Sequence, residues 1–180
     1  MFEDGRSKKV VFLAHCLLNQ NSISDGTAVY PAAFKEVISF FLEHNIGIVQ
    51  MPCPELNCLG LDRGNADGAN SPVVQENTRI RQEMMQTEPH EKLQKLVEHV
   101  MKQILEYHKY GFEMIGIVGA NRSPNCGIDT TSDYNEEIAG KGVFMEELNR
   151  RLETENIPIP MVGLKSSDDL VGKLKHLLKL

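Results

Sequence analysis

The feature that most constrains the fold is an alternation of short apolar runs with longer amphipathic segments along the 180 residues. Short runs rich in β-branched residues are typical of buried strands, and apolar residues spaced three or four apart are typical of helices. The pattern predicts strands at 9–15, 46–51, 112–119 and 159–164, and helices at 31–45, 72–85, 89–107, 143–155 and 168–178.

Strands that alternate with helices indicate a parallel sheet, because a parallel neighbour is reached through a crossover connection. We therefore predict an α/β fold, a three-layer Rossmann-like or flavodoxin-like parallel sheet of about four or five strands with helices on both faces. The length fits a single domain over residues 1–180. A strand order of 2-1-3-4 would place the first three strands side by side.

Charge and hydropathy exclude several classes of partner. The chain has 19 Lys and Arg against 25 Asp and Glu, a net charge of -6. This balance argues against a nucleic-acid polymer as partner, although it permits one isolated base or nucleoside. No apolar run approaches the roughly 20 residues of a membrane helix, and the polar first nine residues do not fit a signal peptide. We expect a cytoplasmic protein with no membrane partner.

Three of the four cysteines each follow a predicted strand. Cys16 ends the first strand, Cys53 ends the second, and Cys126 lies seven residues beyond the third. Ligands of open parallel sheets bind outside the carboxyl ends of the strands, so these three thiols are expected to converge on one crevice. The fourth cysteine, Cys58, lies in a long polar loop, and no Cys-x-x-Cys pair occurs.

Three converging thiols allow two kinds of metal site. They can hold zinc with one open position, or an iron–sulfur cluster, which usually takes four ligands. A cluster held by three cysteines leaves one iron free to act as a Lewis acid toward a soft atom such as sulfur. The alternative for each cysteine is a small buried hydrophobic side chain. Cys58 stays open as a fourth ligand, a resolving thiol or a residue without a role.

Polar residues near two of these cysteines add further chemistry. Glu55, two residues after Cys53, could exchange protons, or it could be an ordinary carboxylate at a helix start. The segment 121–127 brings a guanidinium, a hydroxyl and backbone donors into one tight loop around Cys126. Its composition is also typical of a turn, and a turn and a site are compatible.

Five short motifs follow one another along the chain: Cys16-Leu17-Leu18, Asp25-Gly26, Cys53-Pro54-Glu55, Ser123-Pro124-Asn125-Cys126-Gly127 and Gly140-Lys141-Gly142-Val143. Together they resemble the motifs of the bacterial thiouracil desulfidase (TudS) family. Their order and approximate spacing match that family from residue 9 to about residue 150, most of the chain. The chain departs from many relatives at Asn19 and Ser22, where they carry a glycine and a further cysteine.

The resemblance implies an oxygen-sensitive [4Fe-4S] cluster held by Cys16, Cys53 and Cys126. It also implies that Glu55 and Ser123 are the catalytic residues, for acid–base chemistry and substrate positioning. The substrate would be a small thiolated compound such as a thio-nucleobase, and the reaction would turn its thiocarbonyl into a carbonyl. The cluster would be a Lewis acid and sulfur carrier, and protein prepared in air can lack it.

Asn19, Asp25 and Asn121 are the expected substrate-binding residues in this interpretation. Two other functions stay open. One is a metal- or sulfide-binding protein without turnover, and the other is a cluster-free enzyme that uses Cys16 as a nucleophile. For the nucleophile alternative, the sequence lacks an arginine in the loop after Cys16 that would bind an anionic substrate there. The sequence leaves the substrate's identity and the oligomeric state open.

Overall fold

The computed structural model describes residues 2–180 and contains six strands. Four of them form a parallel sheet, and the other two form a separate antiparallel hairpin. The strands are β1 (Lys9–Leu13), β2 (Gly47–Gln50), β3 (Glu113–Ala120), β4 (Thr130–Asp133), β5 (Glu136–Ala139) and β6 (Met161–Leu164). The order of the parallel sheet is β2-β1-β3-β6.

The predicted fold class is confirmed. The order β2-β1-β3-β6 is the 2-1-3-4 arrangement considered above, with β6 as the fourth strand expected from the sequence. β1 pairs with β2 on one side and β3 on the other, and β6 pairs with β3, all in parallel register. β1 reads KVVFL, and its residues from Val10 onward are buried. A nearly continuous apolar run is typical of a central parallel strand, because both of its faces are covered.

Within residues 2–180, seven α-helices accompany the sheet. α2 packs on α7, whereas α3, α4, α5 and α6 pack on one another, and both α5 and α7 contact β3. These two groups cover the two faces of the sheet. The helices are α1 (His15–Leu18), α2 (Lys35–Glu43), α3 (Pro54–Leu59), α4 (Val73–Met84), α5 (Thr87–Lys109), α6 (Val143–Thr154) and α7 (Leu170–Leu178).

The helices form where the apolar spacing predicted them, with shifted ends. In α5 the residues Leu93, Val97, Val100 and Ile104 are all buried, which is the spacing of one helix face. The helix expected from residue 31 begins only at Lys35. The sequence pattern did not indicate two short helices, α1 and α3, which follow β1 and β2 after intervals of one and three residues.

The segment after β3 is more ordered than the predicted loop. It contains the hairpin β4–β5, whose turn residues Tyr134 and Asn135 have positive φ angles of 51° and 62°. Positive φ at both turn positions matches the twist of a tight hairpin. β4 reads TTSD, so it lacks the apolar residues from which strands are predicted. The hairpin packs against α4.

This topology places the carboxyl ends of β1, β2 and β3 at the same edge of the sheet. The loops that leave these three strands therefore meet above the core. One hydrophobic cluster connects the sheet with the helices on both faces. Among residues 2–180, no helix is both long and apolar enough to cross a membrane.

Candidate functional site

A pocket lies at the carboxyl edge of the sheet, where the loops after β1, β2 and β3 meet. It has about 610 Å³ of empty space, including the part open to solvent. Cys16, Cys53 and Cys126 all line it, and so do Glu55 and Ser123. The structure thus brings together five residues that come from three separate regions of the chain.

The first two cysteines are placed by the short helices that follow their strands. Cys16 is the second residue of α1, directly after β1, and its carbonyl oxygen accepts a hydrogen bond from Gln20 Nε2 at 2.8 Å. Cys53 is the N-cap of α3, and its Sγ accepts the backbone N–H of Leu56 at 3.5 Å. Pro54 follows in the first turn, where a missing N–H costs nothing.

The third cysteine lies in a tight loop after β3. The backbone N–H of Cys126 donates to Ser123 Oγ at 2.9 Å, and its carbonyl oxygen accepts the N–H of Ala120 at 2.9 Å. Ser123 Oγ also accepts the N–H of Asn125 at 3.3 Å. The side chain of Ser123 therefore shapes the loop that presents Cys126 to the pocket.

Glycines allow this loop to pack without steric conflict. A Cβ on Gly119 would lie 2.3 Å from the carbonyl oxygen of Cys126. A Cβ on Gly142 would lie 2.4 Å from the carbonyl carbon of Asn125. Gly142 is the N-cap of α6, so the absence of a side chain lets this helix start directly against the loop. Its φ of -71° is ordinary, and the constraint is one of space rather than of backbone conformation.

The pocket disfavours ionisation of its thiols. Burial, followed by the charges of Cys53 and Glu55, raises the pKa of Cys16 to about 12. Burial and the charge of Glu55 raise the pKa of Cys53 to about 11. Burial and the neighbouring Cys16 and Cys53 raise the pKa of Cys126 well above its ordinary value. Reactive cysteine nucleophiles usually have lowered pKa values, which is the opposite direction to the shifts of these three thiols.

Glu55 is the hydrogen-bonding centre of the site. Its carboxylate is buried, and it receives donors from all three strand-end loops. Oε2 accepts from Ser24 Oγ at 3.2 Å and from Arg63 Nε at 3.2 Å. Oε1 accepts from Asn125 Nδ2 at 3.1 Å and lies 3.5 Å from Ser123 Oγ. These partners fix both oxygens of the carboxylate beside the thiols.

The three cysteine sulfur atoms of the pocket are the type of ligand that an iron–sulfur cluster requires. Among residues 2–180, no three His, Cys, Asp or Glu side chains stand close enough together to hold one metal ion. A single ion requires mutually close ligands, whereas the thiolates of a four-iron cluster each bind a different iron. Burial raises the pKa values of all three thiols, and neighbouring thiols add to this for Cys16 and Cys126. The three thiols therefore need added positive charge before they can ionise together.

The predicted substrate-binding residues have different environments. Asn121 lines the pocket, but its Oδ1 accepts the backbone N–H groups of Ile128 and Asp129, which shapes the loop. Asn19 and Asp25 are not pocket-lining residues. The side chain of Asn19 accepts the N–H of Asn21, and that of Asp25 accepts the N–H of the following glycine. Substrate contact by these residues stays a prediction.

Three polar residues of the site carried no sequence signal that singled them out. Arg63 and Ser24 contact Glu55, and Asn77 on α4 lines the pocket. An arginine inside a loop rich in glycine, asparagine and aspartate was the available clue to Arg63. Cys58 is buried on α3 and is not a lining residue of this pocket.

The fold and the site define a class: a three-layer α/β protein with a pocket at the carboxyl edge of its parallel sheet, lined by three thiols and a buried glutamate. The chain belongs to the same family as the "Uncharacterized protein MJ0003" of Methanocaldococcus jannaschii. The two are 31% identical over 174 residues, which cover 97% of each chain. No family model matches the chain, and no solved structure matches it.

Proposed function

We propose that this protein is a [4Fe-4S]-dependent desulfidase that removes sulfur from a small thiolated compound, such as a thio-nucleobase. The observation that carries the proposal is the convergence of Cys16, Cys53 and Cys126 on a pocket that also contains Glu55 and Ser123. The motifs that resemble the thiouracil desulfidases contribute these same five residues. The substrate class and the cofactor both rest on that resemblance together with the donor set.

Cys16, Cys53 and Cys126 would hold the cluster through their sulfur atoms. When bound, the cluster supplies one iron without a protein ligand, a Lewis acid that takes up sulfur. Among residues 2–180, three thiols line the pocket, and three protein ligands are the number that would leave such an iron. The reaction exchanges a thiocarbonyl for a carbonyl: water supplies the oxygen, its two protons leave with the sulfur, and no electrons are transferred.

Glu55 has the position of the acid–base group. Its carboxylate lines the pocket beside the thiols, so an oxygen of this group can accept a proton from the attacking water and return it to the departing sulfur. Ser123 Oγ lies 3.5 Å from Oε1 of Glu55 and already accepts backbone N–H groups, so its own hydroxyl hydrogen is free to point to Glu55 or to the substrate. Ser123 therefore positions the substrate next to the base.

The test is anaerobic reconstitution followed by iron and sulfide analysis. We expect about four irons and four sulfides per chain, the content of one cubane cluster. Replacing Cys16, Cys53 or Cys126 by serine should each abolish iron uptake. Cys58→Ser is the matched control, because it removes a buried thiol outside the pocket and should leave uptake unchanged. Loss of iron from Cys58→Ser would contradict the three-ligand arrangement.

Turnover separates a desulfidase from a protein that only stores metal or sulfide. The loaded wild type is assayed anaerobically on a set of thiolated bases, with release of sulfide as the readout. Glu55→Gln should keep its iron and lose turnover, because the amide cannot accept a proton. Iron uptake without turnover of any thiolated compound would favour the storage alternative, and full activity of Glu55→Gln would remove Glu55 from the mechanism.

A further inference from the structure

Arg63 is buried in a part of the chain where an arginine is unexpected. Its side chain is 2% exposed, although it lies in the polar loop that follows α3. Nη1 donates to the carbonyl oxygens of Gly60 and Leu61 at 2.9 and 2.8 Å, and Nη2 donates to that of Ser22. One guanidinium thereby connects the loop after β1 with the loop after α3.

The guanidinium of Arg63 also contacts two residues that line the pocket, Glu55 and Cys53. Nε lies 3.2 Å from Oε2 of Glu55, and Nη2 lies 4.0 Å from Sγ of Cys53. The same planar group therefore contacts the acid–base residue and the sulfur of one expected ligand. A lysine cannot reproduce this geometry, because its ammonium is a single point on a flexible stem.

The backbone of Arg63 is held in an uncommon conformation. Its φ is +55°, in the left-handed region that residues with a side chain rarely adopt. Arg79 Nη2 donates to the carbonyl oxygen of Arg63 at 2.8 Å, and Arg79 is itself fixed by an ion pair with Glu76. Strained residues persist when their surroundings hold them in place, and they concentrate at functional sites.

We propose that Arg63 is a positioning residue, which fixes the carboxylate of Glu55 and the sulfur of Cys53 relative to each other. This inference rests on the proposed function for its catalytic consequence. Glu55 has other donors, but Arg63 is the one that also touches a thiol. Without the guanidinium, Oε2 of Glu55 would keep only the donor Ser24, so the carboxylate would shift from the position in which it serves the substrate.

The experiment compares Arg63→Met, Arg63→Lys and Arg79→Met in the full-length protein. Arg63→Met should lower kcat about 100-fold with little change in KM, the effect of a misplaced catalytic group. It should also shift the cluster's reduction potential to a more negative value, because a positive charge and a donor near a ligand sulfur are lost. Arg63→Lys keeps the charge, so it should shift the potential less.

Arg79→Met is the matched control. It releases the same loop, because it removes the bond to the Arg63 carbonyl and the ion pair with Glu76, but it leaves the guanidinium of Arg63 in place. We expect it to lower stability and leave the reduction potential unchanged. An equal shift in Arg79→Met and Arg63→Met would show that Arg63 only stabilises the loop, and it would overturn the inference.

Crystal structures of the metal-free Arg63 variants separate this inference from the proposed function. In Arg63→Met, the carboxylate of Glu55 should leave the position in which it meets Asn125, and this can be observed whether or not the protein turns over a substrate. An unmoved carboxylate would overturn the inference even in an active desulfidase. If Arg63→Met fails to fold, Arg63→Lys decides, and a wild-type position of Glu55 together with wild-type kcat would refute positioning by the guanidinium.

Discussion

Raising the pH of the metal-free protein from about 8 to about 10 should destabilise the wild type more than the variant Cys53→Ser. Burial and the charge of Glu55 raise the pKa of Cys53 from 9.0 to about 11 in the folded protein. The unfolded chain has neither influence, so its thiol keeps the ordinary pKa. Serine has a similar size and does not ionise in this range.

The sign and size follow from proton linkage. The folded state holds the proton more tightly, so the thiol's contribution to stability is complete below pH 9 and is lost as the pH rises toward about 11. A shift of two units corresponds to about 3 kcal/mol when the loss is complete. At pH 10 the loss is about 1.4 kcal/mol, because the unfolded thiol is then about 90% ionised.

Urea unfolding of both proteins measures this difference, in the presence of a reductant and a metal chelator. The difference in the free energy of unfolding between wild type and Cys53→Ser reports mainly the Cys53 thiol. The pKa values of Cys16 and Cys126 also depend on Cys53, but burial keeps both thiols protonated in the two folded proteins over this pH range. Serine can also change stability as the N-cap of α3, but this change in the free energy of unfolding does not depend on pH. A difference that stays constant from pH 8 to pH 10 would refute the conclusion that burial beside Glu55 raises the pKa of Cys53.

Gly142→Ala should destabilise the protein by about 1–3 kcal/mol, the usual range for overpacking, because the new Cβ meets the backbone of Asn125 at 2.4 Å. It should also reduce iron uptake, and Gly5→Ala, which has open space around it, should change neither urea unfolding nor iron content. Arg81→Met should cost about 2–3 kcal/mol, because it breaks a largely buried ion pair with Asp133. Faster hydrogen exchange in the hairpin β4–β5 would accompany that loss, and unchanged exchange would contradict the assignment.

The parallel sheet could be predicted because its signals are local. A buried strand such as β1 is a run of adjacent apolar residues, and a helix such as α5 repeats its apolar residues every three or four positions. The hairpin β4–β5 has neither signal. Its polar strands are held by packing on α4 and by a tight turn, and these contacts come from distant parts of the sequence.

Part of the candidate site could be predicted from the sequence, because the position of a residue after a strand is also a local signal. The three cysteines could be placed together because each follows a strand, and parallel strands present their carboxyl ends at one edge. The partners of Glu55 could not be placed in this way. Ser24 is 31 residues away and Asn125 is 70 residues away, and nothing local pairs them with a carboxylate.

The sequence by itself determined the alternation of strands and helices, the fold class and the edge of the sheet at which the thiols lie. These properties depend on periodicity and on chain order, which are readable residue by residue. Tertiary structure alone decided that Arg63 is buried against Glu55 and Cys53, and that the thiols have raised pKa values. Burial and charge proximity depend on how separate loops pack together, and this information is distributed over the whole chain.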